Sequence, residues 1–254
     1  MPKKKYIAVF DSGVGGVSVL RELMALMPRE DYYYFGDSAN APYGPKSTDE
    51  VLRLTLAAAE HLLGMGAKCL VIACNTATAA AIEVLRQKYP NEIIIGIEPA
   101  LKLAADRHPG GTIGVMATDV TLREEKFAAL AQRCQENATI IPLPSPGIVE
   151  LVESDQAQSQ EARTLLNAEL GPYVGKLDAL VLGCTHYPFA QGLIRSILGE
   201  QVDILHGGPG TARETQRRLA EAGLLSEGQG SLTIENSSGN PNMIELTCRL
   251  LERE

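Results

Sequence analysis

Short β-branched apolar runs alternate with longer amphipathic stretches along the whole 254-residue chain, and this alternation restricts the fold more than any other feature. The strand-like runs are Tyr6–Phe10, Tyr32–Phe35, Cys69–Ala73, Ile93–Ile97, Thr112–Met116, Thr139–Pro142, Ala179–Leu182, Val202–Leu205 and Leu232–Glu235. Between them lie helix-like segments: Val17–Met27, Thr48–Met65, Thr78–Lys88, Ala100–Arg107, Leu122–Gln135, Glu161–Leu170, Pro188–Leu198, Ala212–Ala222 and Met243–Arg253. Several strand runs are apolar on both faces, which predicts an α/β fold with a mostly parallel sheet covered by helices. Gly207-Gly208-Pro209-Gly210 and Glu98-Pro99 are the expected crossing points between two lobes, residues 1–98 plus 208–254 and residues 99–207.

An internal repeat supports two lobes. The run Ile7–Val14 is similar to Ile113–Val120, an offset of 106 residues, and Cys69–Cys74 is similar to Ala179–Cys184, an offset of 110. Each copy therefore has a strand that ends in a cysteine. Chance likeness of Val-rich strands is the bland reading, and the matching cysteines weigh against it.

The five cysteines, Cys69, Cys74, Cys134, Cys184 and Cys248, are odd in number and form no Cys-x-x-Cys. A chain this long needs no disulfide staples, and the spacing fits no zinc finger. The basic start Met1–Lys5 is followed by too short an apolar run for a signal peptide, and no segment is long enough to cross a bilayer. A reduced, cytoplasmic protein is expected, in which a buried cysteine is ordinarily a small core residue. The net charge of −8 argues against nucleic acid or an anionic membrane surface as the main partner.

In parallel sheets, ligands bind beyond the carboxyl ends of the strands. Four polar motifs fall at such ends: Asp11–Gly16, Asp37–Gly44, Cys74–Thr78 and Cys184–Pro188. Lobes related by a pseudo-twofold would bring Cys74 and Cys184 to one cleft from opposite sides. Two thiols flanking a carbon suit a proton removed from one face and delivered to the other, as in a racemase or epimerase that needs no cofactor. Each cysteine precedes residues that open a helix, and a helix N-terminus favours the thiolate. Asp11 and His186 are candidate proton handlers, although a turn aspartate or a core histidine is the plainer reading of either alone. An anionic substrate would be held by helix N-terminal amides and by the hydroxyls of Ser12, Thr76 and Thr185. The Gly-rich Asp11–Gly16 turn is neither a dinucleotide fingerprint nor a phosphate loop.

Together these motifs resemble the glutamate racemase branch of the aspartate/glutamate racemase family. The resemblance rests on Phe10–Gly16, on Gly36-Asp37 with Pro42-Tyr43-Gly44, on Ala73–Ala77 and on Gly183–Pro188. It implies two doubly wound, flavodoxin-like lobes, with the C-terminal segment returning to the first lobe. It implies an isomerase that interconverts L- and D-glutamate without cofactor or metal and supplies D-glutamate for peptidoglycan. By the same resemblance Cys74 would serve D-glutamate and Cys184 L-glutamate. Asp11 would assist near Cys74, and His186 and Glu153 near Cys184. Substrate contacts would fall on Asp11, Ser12, Tyr43, Gly44, Asn75, Thr76, Thr185 and His186. A homodimer is expected, with no nucleic acid or membrane partner.

Two departures from the family pattern stand out. His206-Gly207 occupies the place of an Asp-Ser type pair, and Ser145-Pro146 that of a Cys-Pro. Two other functions remain open on the residues themselves: a hydrolase or transferase with Cys184 as nucleophile and His186 as base, and a non-enzymatic regulator such as a gyrase inhibitor.

Overall fold

A computed structural model describes residues 6–123 and 125–253. The basic run Met1–Lys5 lies outside the described residues. The chain divides into two compact units, Met1–Glu98 with Gly208–Glu254, and Pro99–Gly207.

The first unit contains β1 (Tyr6–Asp11), α1 (Val17–Leu26), β2 (Asp31–Gly36), α2 (Thr48–Gly64), β3 (Ala67–Ile72), α3 (Asn75–Lys88) and β4 (Ile94–Gly96). The second contains α4 (Leu101–Arg107), β5 (Thr112–Ala117), α5 (Asp119–Arg123), α6 (Glu125–Gln135), β6 (Thr139–Pro144) and α7 (Gly147–Glu153). It continues through α8 (Gln160–Leu170), β7 (Ala179–Leu182), α9 (Gln191–Leu198) and β8 (Asp203–His206). The chain then returns to the first unit with α10 (Gly208–Glu221), β9 (Ser231–Asn236) and α11 (Pro241–Glu252).

The first sheet has the order β4-β3-β1-β2-β9, the second β6-β5-β7-β8, and every pairing is parallel. The central strands are buried along their length, as unbroken apolar runs require in a sheet covered on both sides. In the first unit α2 and α3 pack together over one face, and α1 packs against α10 and α11. The α2/α3 side is filled by Ala8, Phe10, Leu70, Ile72, Val51, Leu62 and Leu85, among others. Each fully buried Val, Leu, Ile or Phe side chain contributes about 1.5–3 kcal/mol.

The repeat is present in three dimensions. Ile7–Phe10 pairs with Cys69–Ile72 in the same register in which Ile113–Met116 pairs with Ala179–Leu182. The amide of Ala73 donates to Phe10 O at 2.8 Å, and that of Gly183 to Met116 O at 2.7 Å. Strand order repeats as well: β4-β3-β1-β2 has the same connectivity as β8-β7-β5-β6, and among the described residues β9 is the one strand without a counterpart. Its presence covers β2, whereas the corresponding β6 is a largely exposed edge.

Several elements differ from the sequence expectation. Helix α3 starts three residues before Thr78, because Cys74 itself is the N-cap and its sulfur accepts from Ala77 N at 3.4 Å. Residues Gly208-Pro209-Gly210 form the first turn of α10, where proline's missing N–H costs nothing. The Leu122–Gln135 stretch is divided between α5 and α6, and its Glu124 lies outside the described residues. Helix α7 is unannounced, since Ser145-Pro146-Gly147 reads as a breaker, yet Pro146 caps its start. Cys69 and Cys134 are core residues, as expected of them. Cys248 is exposed instead, because the buried stripe of α11 runs through Leu246, Thr247 and Leu250.

At the amino ends of the first sheet's strands, Lys68 and Glu30 form a buried ion pair at 2.5 Å. Lys68 also donates to Leu224 O at 2.8 Å, and Glu30 accepts from Ser226 N at 2.8 Å. These bonds tie the segment between α10 and β9 to the sheet.

Candidate active site

The sequence-predicted residues fall into two groups, one in each unit, at the carboxyl ends of equivalent strands. In the first unit, β1 ends at Asp11, which is buried and accepts from Gly13 N at 3.0 Å. A Cβ at Gly16 would stand 2.5 Å from the Asp11 Cβ, so this turn closes over Asp11 only with glycine there. Tyr34 donates to Gly13 O at 2.7 Å and fixes the loop from below.

Cys74 follows β3. Its thiol donates to Ser12 Oγ at 3.4 Å, and its place at the N-terminus of the 14-residue α3 favours negative charge on sulfur. Asn75 and Thr76, both buried, begin that helix. The Asn75 Oδ1 is a buried acceptor without a hydrogen-bond partner. Such an atom costs about 1–3 kcal/mol until a donor meets it.

Tyr43 arrives on the loop after β2, is buried, and donates to Asp37 Oδ2 at 2.7 Å. Burial pushes its phenol far above the ordinary tyrosine range, and the hydrogen bond to Asp37 and the negative groups Asp37, Cys74 and Asp11 add to the effect. Tyr43 is therefore a neutral hydroxyl close to the Cys74 thiol. The following residue, Gly44, lies on the same loop.

In the second unit, Cys184 follows β7 and is part-buried. No α-helix opens at it: Thr185 and His186 form a turn that leads into a short 3₁₀ helix, Tyr187–Ala190, with Pro188 in its first turn. The expected helix N-terminus is thus absent, and a histidine stands in its place. His186 Nδ1 lies 3.6 Å from Cys184 Sγ, and its Nε2 lies 2.8 Å from Glu153 Oε1. Burial opposes charge on His186, but Cys184 and Glu153 together override it and hold the imidazole well above the ordinary histidine range. An imidazolium beside a thiol stabilises the thiolate.

Gly183, just before Cys184, has no room for a Cβ, which would meet Met116 O at 2.9 Å. Tyr187 donates to Ser145 O at 2.6 Å, which joins the turn to the start of α7 and so to Glu153. Thr185 is buried in the same turn. Ser145, at the position where a Cys-Pro was expected, is wholly buried. His206 closes β8 beside Leu182.

The repeat sets out how the two groups differ. Asp11 and Ser12 correspond to Ala117 and Thr118, and Asn75 and Thr76 to Thr185 and His186. The thiols occupy one position in both copies, while their polar partners do not repeat. One has a serine, a helix N-terminus and a nearby aspartate; the other has a histidine–glutamate pair. The loop after β2 brings Tyr43, and the equivalent segment after β6 forms α7 and brings Glu153.

The pattern of the Asp/Glu/Hydantoin racemase family matches residues 14–215. The chain belongs to this family. It is 47% identical to the glutamate racemase of Clostridium perfringens over 253 residues, 98% of this chain and 97% of that protein. Among solved structures, glutamate racemase isoform RacE1 from Bacillus anthracis matches with a TM-score of 0.89 at 30% identity, over 99% of this chain and 96% of its own. The Escherichia coli glutamate racemase in complex with L-glutamate and the activator UDP-MurNAc-ala matches with a TM-score of 0.84 at 29% identity, over 98% and 95%.

The fold class is thus that of this family. The residues that sequence reasoning missed are those that brace the motifs. Asp37 was visible only as part of Gly36-Asp37, without a role. Ser145 and Tyr187 were visible as motif members, but the bond between them was not. Among the described residues no helix is long and apolar enough to cross a membrane.

Proposed function

We propose that this chain interconverts L- and D-glutamate by a two-thiol proton transfer at Cα, with Cys74 and Cys184 as the acid/base pair. The observation that carries the reading is that the two cysteines occupy the same structural position in two copies of one unit, each next to different proton-handling groups.

In the proposed reaction one thiolate takes the Cα proton and becomes a thiol. The electron pair left on Cα is delocalised into the carboxylate. The opposite thiol then delivers its proton to the other face and becomes a thiolate, so the atoms balance and the thiol/thiolate pair is left reversed. His186, held by Glu153, stabilises Cys184 as thiolate; Ser12 and the start of α3 do so for Cys74, with Asp11 assisting. Asn75 Oδ1 offers an acceptor for the substrate ammonium. The α3 N-terminus, Thr76, Thr185, Ser12, Tyr43 and Gly44 supply donors for its carboxylates. No cofactor enters this scheme. The biological setting it carries is D-glutamate supply for peptidoglycan by a cytoplasmic homodimer.

The test is circular dichroism of either glutamate enantiomer with the purified chain and no added cofactor. Wild type brings the signal to zero, whereas Cys74→Ala and Cys184→Ala each leave the starting enantiomer's signal in place, since general acid–base catalysis contributes about 10²–10⁴-fold. Activity that persists in either variant rejects the pair.

The thiol–imidazole–carboxylate chain Cys184–His186–Glu153 also favours a second reading, nucleophilic hydrolysis or acyl transfer. That reading needs Cys184 alone. A covalent acyl-Cys184 adduct in the mass spectrum, with activity intact in Cys74→Ala, would establish it in place of racemisation.

A further inference from the structure

Strand β9, the strand without a counterpart in the second unit, delivers a clasp to the loop that carries Tyr43. It runs beside β2 in register, so that Gly36 lies opposite Asn236. Where the two strands end, Ser237 N donates to Gly36 O at 3.0 Å. The Ser237 hydroxyl donates to Asp37 Oδ1 at 2.7 Å and accepts from Ala39 N at 3.0 Å. Asn236 Nδ2 donates to Ser38 Oγ at 2.8 Å. Asp37, buried, takes three side chains at once: Ser237 on Oδ1, Tyr43 on Oδ2, and Asn40 Nδ2 on both oxygens at 3.0 and 3.1 Å.

We infer that Ser237 is a positioning residue for substrate binding: its hydroxyl holds the Asp37 carboxylate in the orientation that fixes Tyr43, and with it Gly44, in the substrate-binding geometry. The inference rests on the proposed racemase reading, in which Tyr43 and Gly44 hold the substrate. Three features support it. Ser237 grips both the carboxylate and a backbone amide of the loop, so it sets orientation as well as charge. The Asp37–Tyr43 bond is buried and charge-assisted, the kind worth most when well aligned. The loop after β6, the equivalent edge in the other unit, has no such strand beside it among the described residues and instead coils into α7.

Ser237 is itself exposed, so its substitution leaves the core intact. In Ser237→Ala the KM for glutamate is expected to rise about tenfold, the factor of one charge-assisted hydrogen bond, while kcat changes little. Ser237→Thr keeps the hydroxyl and restores KM. Amide exchange measured on the peptide spanning residues 38–44 quickens in the alanine variant and returns to the wild-type rate in the threonine variant. Wild-type KM in Ser237→Ala overturns the inference while the racemase reading stands. If the wild-type chain does not turn over glutamate, the racemase reading falls by that result. The clasp is then judged by exchange alone, and unchanged protection of residues 38–44 in Ser237→Ala overturns it.

Discussion

His186 and Glu153 are 33 residues apart in the chain and meet at 2.8 Å, Nε2 to Oε1, so that the other ring nitrogen is turned toward Cys184. A neutral histidine offers the neighbouring thiol a hydrogen bond but no charge. A charged one, favoured by Cys184 and Glu153 together, is the partner that suits a thiolate. The pair therefore places a positive charge beside one of the two proposed bases, and removing Glu153 is the way to see it.

Glu153→Gln keeps the shape of the pair and removes its charge. The imidazole pKa falls, and the limb of the pH–rate profile that depends on the charged His186 moves with it. At neutral pH kcat drops roughly 10²-fold, within the usual range of general acid–base effects. The wild-type profile is a bell, since activity needs one thiolate and one thiol. Initial rates from pH 6 to 10 in both forms measure this, and superimposable profiles would rule the coupling out.

The same pair has a signature in stability. His186 has a folded-state pKa above its unfolded value of about 6.5. Its contribution is fully present below that unfolded value and is lost as pH rises through the folded-state value. Urea midpoints for wild type should therefore fall over this interval, and those of Glu153→Gln should change less across it. Parallel curves for the two proteins would contradict the assignment.

Gly16→Ala places a methyl 2.5 Å from the Asp11 Cβ and 3.1 Å from the Ala73 Cβ. The loop has to move, at a cost of about 1–3 kcal/mol, and Asp11 and Ser12 move with it. Thermal unfolding should show the loss of stability, and KM should rise in the same variant. A protein with wild-type Tm and KM would show that the turn has slack the geometry does not reveal.

Lys68→Met leaves the buried Glu30 without its cation. The expected loss is about 3–5 kcal/mol of stability, since the stranded charge stays in an apolar setting. The pair is remote from the motifs at the opposite strand ends, so KM should stay at the wild-type value once folding is secured. Denaturant unfolding and steady-state kinetics on the same preparation separate the two effects.

The strands and long helices were legible because short unbroken apolar runs such as Cys69–Ile72 alternate with longer amphipathic stretches, the pattern of a covered parallel sheet. The repeat was legible because both copies keep similar strand sequences, the second of each pair ending in a cysteine. The two cysteines and the glycines beside them were readable as strand-end motifs. What escaped was set by tertiary contact. Ser237 sits in a polar Ser/Asn/Gly stretch that reads as a plain loop, and its partner Asp37 is 200 residues away. Helix α7 was hidden by Pro146, whose usual meaning as a breaker is reversed when it stands at a helix start. Cys184 was expected to lie at a helix N-terminus, but Pro188 and a 3₁₀ turn intervene, and the histidine two residues on stands 3.6 Å from its sulfur instead.

The central claim is that two different bases act on Cα, one from each copy of the repeat. Initial-rate racemisation in heavy water tests it most directly, with L-glutamate and D-glutamate examined separately by mass spectrometry and chiral separation. The account predicts that the newly formed antipode carries one Cα deuterium from the first turnovers, because the group that delivers the proton is not the group that removed it. Product that retains the original Cα hydrogen would mean that a single group takes and returns the proton, and would contradict the assignment of Cys74 and Cys184 as partners.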